Sequence, residues 1–145
     1  MRPHLEKKSI LLIALIVWLP LGCAAISEKA GREKLELFTE AYRNSIRASE
    51  FKQAYRFVDP EIAKDQEVDF DRYKNIQVVD YEVSQSSFYK DRGEFFQIAE
   101  IQYYSKDGLI LKTLSDPQRW KLDDKTGVWL LQSGLPDFQA QLKKD

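Results

Sequence analysis

Histidine and cysteine are almost absent from this sequence of 145 residues. The only histidine is His4 and the only cysteine is Cys23. Histidine-based acid–base catalysis and the common zinc sites are therefore not expected in the body of the chain. A single cysteine also allows no disulfide bond within the chain, so the fold has to depend on its apolar core.

The sequence also has no glycine-rich motif and almost no net charge. The six glycines are spread through predicted turns and form no phosphate-binding loop. The 22 basic and 23 acidic residues are mixed along the chain, which argues against a nucleic-acid partner. Asp65, Glu67, Asp69 and Asp71 lie close together, but the twelve-residue calcium loop with its central glycine and final glutamate is missing. The sequence therefore predicts no metal and no cofactor.

One long apolar run does exist, near the beginning of the chain. Residues 10–21 are apolar except for Pro20, and three basic residues precede them. This is about the length of a signal-peptide core, with a positive start that stays on the cytoplasmic side. An uncleaved transmembrane helix, which needs roughly 20 apolar residues, is one alternative, although Pro20 and Gly22 interrupt its end. An ordinary secretory signal is the other alternative.

The end of the run, Leu21-Gly22-Cys23, resembles the lipobox of bacterial lipoproteins. In that family the chain is cut just before the cysteine, which is lipidated, and the position three before it is usually leucine, where this chain has Pro20. The resemblance implies that residues 1–22 are a signal peptide and that lipidated Cys23 anchors the protein to the bacterial cell envelope. The residue after the cysteine is Ala24 and not an aspartate, which resembles the sorting pattern of Gram-negative lipoproteins of the outer membrane and implies that the protein faces the periplasm.

Removal of the signal peptide leaves 123 residues, which is enough for one domain with one core. The predicted parts are a tether over 23–33, a domain over 34–136 and a polar tail over 137–145. Apolar residues recur at spacings of three and four from Leu35 to Ile46, which predicts an amphipathic helix over about 28–48.

One or two shorter helices are predicted next, which makes two or three helices in all. Ser49 is a suitable N-cap for a second helix, and Asp59-Pro60 ends it because the residue before a proline avoids helical geometry. Further helical turns are expected over 61–66 and 69–75.

From Ile76 the apolar period changes to two, which predicts strands. A change of phase near Val78-Val79 indicates a β-bulge. Asp107-Gly108 predicts a tight hairpin, and Asp116-Pro117 is expected to bend or end a strand because proline cannot donate to a sheet ladder. The other predicted strands cover 94–104, 109–114, the pattern around Trp120 and Leu122, and 128–132.

Helices first and antiparallel strands after predict an α+β fold, with N-terminal helices packed on a sheet of four to five strands. The break at FVDPE and the closing WKLDDKTGVWLLQSGLP, with Trp120 and Trp129 around a glycine turn, resemble the nuclear transport factor 2-like (SnoaL-like) superfamily over about 30–136. This resemblance implies a curved sheet that wraps the first helix into a cone. A cystatin-like fold and an unrelated small α+β sandwich are the alternatives.

Glu100 is the candidate catalytic residue that this resemblance brings forward. In cone folds of the family one sheet face lines a cavity, where a desolvated carboxylate acquires a raised pKa suited to acid–base chemistry. Isomerase and cyclase branches place a tyrosine in such a pocket, and Tyr81 or Tyr104 could supply it here. The alternative is that Glu100 faces water.

Aromatic residues on both predicted sheet faces suggest a binding surface, with core packing as the alternative. The candidates are Phe95, Phe96, Tyr103 and Tyr104. We therefore expect a lipid-anchored envelope protein whose domain binds an envelope protein or a second copy of itself and performs no catalysis. A small-molecule-binding or isomerase/cyclase-like pocket protein is one alternative, and a structural spacer is another.

Overall fold

The computed structural model describes residues 22–65 and 67–139, with side chains from residue 29 onward. The α-helices are α1 Gly22–Arg47, α2 Phe51–Ala54 and α3 Pro60–Asp65. Short 3₁₀ helices cover Tyr55–Phe57, Phe70–Tyr73 and Lys90–Arg92. The strands are β1 Ile76–Tyr89, β2 Glu94–Ser105, β3 Leu111–Asp123 and β4 Val128–Leu131.

The fold is α+β, with helix α1 packed on an open antiparallel sheet of four strands in the order β1-β2-β3-β4. Each strand is a neighbour of the next, as hairpin connections dictate. We call the sheet face that packs against α1 the inner face and the opposite face the outer face. Because strand residues alternate between faces, Ala99, Ile101 and Tyr103 of β2 are buried on the inner face.

Large aromatic side chains fill the space between α1 and the sheet. Tyr42 of α1 packs edge-to-face on Trp120 of β3, with 5.4 Å between ring centroids, and Phe57 contacts both rings. Tyr42, Trp120 and Trp129 are each at most 1% exposed. Aromatic side chains therefore fill the centre of the core, and their contacts fix the position of α1 across the sheet.

The segment predicted as a tether, 23–33, is helical instead, because α1 begins at Gly22. Alanines and long charged side chains favour the helix there, and the sheet supports its second half. The indole Nε1 of Trp129 donates to the Gly31 carbonyl, and the Arg32 guanidinium lies 4.9 Å from the ring centre of Phe88.

The predicted signal or anchor segment, residues 1–22, lies outside the described residues except for Gly22. Within the described ranges, no helix is both long enough and apolar enough to cross a membrane.

The predicted β-bulge near Val78-Val79 is confirmed, because the β1–β2 register shifts between Val78 and Asp80. A second shift, between Val83 and Gln85, was not predicted. The expectation that Ser49 caps the second helix is wrong. Ser49 instead follows α1 with φ of 59°, and its Oγ accepts a hydrogen bond from the Val78 amide at the first bulge.

The hairpin at Asp107-Gly108 is wider than the two-residue turn predicted. Tyr104 pairs with Leu111, and residues 106–110 form a longer connection. A positive φ occurs at Leu109, at 52°. We call residues 108–111 the hairpin tip.

Pro117 does not end β3, which runs on to Asp123. It pairs with Ile98 of β2, while β4 pairs only with the residues of β3 from Trp120 onward. The missing N–H of Pro117 therefore faces the side of β3 that β4 leaves uncovered, where no ladder bond is needed.

The predicted polar tail, 137–145, contains a core residue. Phe138 is 1% exposed, with its ring centre 4.7 Å from that of Tyr103 and 5.5 Å from that of Phe51. The Tyr103 hydroxyl donates to the Phe138 carbonyl. The domain therefore extends at least to Phe138, because one aromatic side chain among polar residues is enough to anchor the segment.

Candidate functional site

Four polar side chains form a connected cluster on the inner face, which we call the buried polar cluster. Its members are Tyr81 of β1, Gln97 of β2, and Asp116 and Gln118 of β3. Gln118 is at the centre: its Nε2 donates to Asp116 Oδ2 at 2.7 Å and to the Tyr81 hydroxyl at 2.8 Å. Its Oε1 accepts from Gln97 Nε2 at 2.7 Å. The cluster thus joins three strands beneath α1.

Burial governs the ionisation of this cluster. Desolvation raises the pKa of Asp116 to about 6, against the smaller opposing effect of the Gln118 hydrogen bond. Burial also raises the pKa of Tyr81 and of Tyr42, so both phenols stay neutral. The Tyr42 hydroxyl has no hydrogen-bond partner within the part of the chain described. Asp116 can therefore hold or release a proton close to neutral pH.

Strand alternation places Asp116 and Gln118 inside the fold. Leu114, Asp116, Gln118 and Trp120 are spaced by two along β3 and all are buried. The sequence prediction missed the two polar members because Asp116-Pro117 was expected to bend or end a strand. The same alternation, extended through the proline from Trp120, is the signal that could have found them.

The cluster has the chemical groups of an acid–base site but little room for a substrate. Gln118 is 2% exposed and Tyr42 is completely buried, so the side chains themselves occupy the space between α1 and the sheet. No group of three or more potential metal ligands occurs among the described residues. The arrangement suits a polar network that fixes the interior, or a proton-binding group.

The outer face carries an open depression of about 370 Å³. It lies across β1, β2 and β3, and the strand register assigns six side chains to its walls: Gln85, Ser87, Phe96, Ile98, Pro117 and Arg119. The backbone of the intervening residues forms its floor. Its volume is at the lower end of the roughly 300–1,000 Å³ that ligand pockets occupy. No described helix covers this face.

Contacts between charged and aromatic side chains fix the positions of the side chains at one end of the depression. The Arg119 guanidinium donates to the buried Glu94 carboxylate, and this hydrogen bond lowers the pKa of Glu94. Tyr89 packs edge-to-face on Phe96 at 5.5 Å, and the Arg92 guanidinium lies 4.3 Å from the ring centre of Tyr89. The wall at this end is therefore held in place before any partner arrives.

Glu100 is half-buried on the outer face, where it accepts a hydrogen bond from Ser115 Oγ at 2.9 Å. Tyr81 is on the inner face, so the structure does not bring this predicted pair together. The register pairs Tyr81 with Ile101 and Glu82 with Glu100, which puts the two groups on opposite sides of the sheet. Tyr104 shares the outer face with Glu100 but lies four residues further along β2.

The predicted aromatic surface divides between the two faces for the same reason. Phe96 and Tyr104 are half-buried on the outer face, where a partner could reach them. Tyr103 is fully buried and Phe95 packs against the core, so these two side chains lie on the inner face and not beside Phe96 and Tyr104. Cys23 lies within α1, at a position where the side chains are outside the description.

No protein-family model matches the chain, and no curated protein is significantly similar to it. Among solved structures, the chain resembles a SEC-C motif containing protein from Rhodopseudomonas palustris, with a TM-score of 0.50 and 13% sequence identity. The match covers 65% of this chain and 71% of that chain. At this level of identity the similarity concerns the fold alone.

Proposed function

We propose that the protein is a lipid-anchored bacterial envelope protein whose α+β domain is a non-catalytic binding or assembly module. Lipidated Cys23 would hold it in the outer membrane with the domain in the periplasm, and the sheet would have the cone-like curvature of the nuclear transport factor 2-like superfamily. The lipobox-like Leu21-Gly22-Cys23 supports the anchor. The packing of α1 across one face of an antiparallel sheet supports the kind of domain.

The observation that carries the binding function is the contrast between the two faces of the sheet. The inner face is filled by aromatic side chains, whereas the outer face presents an uncovered depression with Phe96 and Ile98 in its walls. Apolar and aromatic groups next to an arginine are the composition of protein–protein contact sites. The outer face is therefore the surface to which we assign a protein partner.

Membrane fractionation tests the anchor. The unchanged protein should sediment with the outer membrane, and a Cys23→Ser variant should lose that location. Substitution of an exposed serine in the domain, Ser84→Ala, is the matched control and should leave the location unchanged. Equal membrane association of all three forms would contradict lipid anchoring at Cys23.

Site-specific photo-cross-linking in cells tests the surface. A photoreactive amino acid at Phe96 should give a discrete cross-linked band with a protein. The same amino acid at Leu37, which is 70% exposed on α1, is the control and should not give that band. Identical patterns from the two positions, or none from Phe96, would contradict a contact surface on the outer face.

A small-molecule-binding or isomerase/cyclase-like function is the second candidate, and the buried Asp116 favours it. Its raised pKa and its link through Gln118 to Tyr81 are the features that an acid–base pocket requires. Phenol is a suitable probe, because its ring is apolar and its hydroxyl could pair with the carboxylate. Saturable quenching of tryptophan fluorescence that Asp116→Asn abolishes would support this function. If phenol causes no saturable change in the fluorescence, this second function is contradicted and the cluster is a structural network.

A further inference from the structure

The hairpin tip is the most exposed apolar segment of the described chain. Leu109, Ile110 and Leu111 are 74%, 65% and 58% exposed, and they are consecutive. Leu109 also has a positive φ, which a non-glycine residue adopts only at a cost in free energy. Three aliphatic side chains held in water by a strained turn need an explanation beyond folding, because burying them in a partner would be favourable.

We propose that the hairpin tip of one copy of this protein inserts into the outer-face depression of a second copy. This inference rests on the proposed function, since it identifies the partner of the outer face as the chain itself. The contact joins two different surfaces, so each copy would offer both a tip and a depression to its neighbours.

The size of the depression fits the tip. An apolar cavity of about 150 Å³ accepts benzene, which has six carbon atoms. The depression measures about 370 Å³, more than twice as large, and the three side chains of the tip bring twelve carbon atoms. Phe96, Ile98 and Pro117 give its walls an apolar surface like that of the tip, beside the polar side chains of Gln85, Ser87 and Arg119.

Charge complementarity favours the same arrangement. Glu82 and Glu100 are direct cross-strand partners, one row beyond the depression on the outer face. Like charges in this position destabilise a sheet unless a cation lies between them. Lys106 and Lys112 flank the tip in sequence, and Lys106 Nζ donates to the carbonyl of Lys74, a neutral acceptor that leaves the positive charge in place. An inserted tip would therefore bring positive charge towards the neighbour's two carboxylates.

The tip and the depression of one copy cannot satisfy each other. The depression centres on Gln97 and Gln118, whereas the tip lies beyond Ser105, eight residues further along β2. At about 3.4 Å per residue the separation along the strand is roughly 27 Å. The occupant therefore has to come from another molecule.

Disulfide cross-linking of two differently tagged variants tests the proposal. Both are full chains in a mild detergent and carry Cys23→Ser, so that each has one introduced cysteine. One carries Ile110→Cys in the tip and the other carries Ile98→Cys in the depression. Mild oxidation of the mixture should give mainly the mixed dimer. Replacing Ile98→Cys by Leu37→Cys, on the exposed side of α1, should lower the yield roughly fivefold or more.

Charge reversal distinguishes a specific contact from non-specific hydrophobic association. Lys106→Glu with Lys112→Glu in the tip partner should reduce the mixed dimer, because four carboxylates would then converge. Adding Glu82→Lys with Glu100→Lys in the depression partner should restore it. Circular dichroism checks that every variant is folded.

Three outcomes would overturn the proposal. The tip cysteine could link as readily to Leu37→Cys, the tip variant could link only to itself, or no mixed dimer could form. If no mixed dimer forms but a cross-linker at Phe96 captures a different envelope protein, the self-association is wrong while the proposed binding function stands. Binding of the tip variant to anionic lipid vesicles, without any mixed dimer, would assign the tip to a membrane instead.

Discussion

Burial of the Asp116 carboxylate should make the stability of the whole domain depend on pH. Its pKa in the folded state is about 6, above the ordinary value of 3.8, so the folded state binds the proton more tightly than the unfolded state. Its contribution to stability is therefore fully present below about pH 4 and is lost as the pH rises through 6. The shift corresponds to roughly 3 kcal/mol.

An Asp116→Asn variant should lose this dependence. The side-chain oxygen that accepts from Gln118 can remain, whereas the charge cannot form, so the variant should gain stability relative to the unchanged protein between pH 4 and 7. Urea denaturation at several pH values measures the difference. Asp91→Asn, at an exposed turn, is the control. Parallel pH profiles for the unchanged protein and Asp116→Asn would contradict the burial argument.

Gln118 should matter more to stability than its exposure to solvent would suggest. A Gln118→Leu variant keeps the approximate volume but leaves Asp116, Tyr81 and Gln97 without their central partner. We expect a loss of about 2–3 kcal/mol in the free energy of unfolding. Gln102→Leu, on the exposed outer face of β2, is the matched control and should change it little. Equal effects would mean that the network contributes nothing specific.

Ser49, two residues after the end of α1, makes a polar contact with strand β1 at the bulge near Val78. The Val78 amide is buried and donates to Ser49 Oγ at 2.9 Å. A Ser49→Ala variant should lose about 1–2 kcal/mol, because the amide would have no acceptor. Chemical denaturation measures the loss, and hydrogen exchange should become faster at the Val78 amide.

Ser84→Ala is the matched control for this prediction. Ser84 Oγ donates to the Ile98 carbonyl beside the second bulge but is exposed, so water can replace it. A loss of stability as large as that of Ser49→Ala would contradict the idea that burial of the contact decides its contribution.

The order and type of the elements could be predicted from the sequence because periodicity reports directly on burial. Spacings of three and four gave α1 its buried face at Leu35, Tyr42 and Ile46, and alternation gave the strands and the first bulge. These periodicities are local in sequence, and they exist because each helix or strand has to place its apolar side chains on the face that packs in the core.

The features that failed to be predicted depend on contacts distant in sequence. Ser49 resembles an N-cap in the sequence, but its Oγ accepts a hydrogen bond from the amide of Val78, which is 29 residues away. Phe138 resembles part of a polar tail because its partners, Phe51 and Tyr103, come from other elements. The buried polar cluster was missed because Pro117 was expected to bend or end its strand. It lies instead within β3, at an edge that β4 leaves uncovered, where a proline is tolerated.

On the scale of the whole molecule, the contacts of α1 with the sheet define what the domain needs in order to fold. Among the side chains that the structure describes, from residue 29 onward, the contacts of α1 with the sheet include those of Gly31 and Arg32, and Leu35 is the first that is buried. A variant that starts at Ala24 should therefore keep the melting temperature of the unchanged protein. One that starts at Leu37 should melt lower by roughly 5 °C or more, because these contacts are lost. Thermal unfolding followed by circular dichroism compares the two.

The anchor decides where every other interaction of this molecule takes place, and mass spectrometry tests it most directly. The protein is extracted from membranes and compared with a Cys23→Ser variant. We expect a mass that shows cleavage before Cys23 together with added lipid, and both should be lost in the variant. An intact, unlipidated mass that includes residues 1–22 would contradict it. Cys23 would then carry no lipid, and the leading apolar run would be a membrane-spanning anchor.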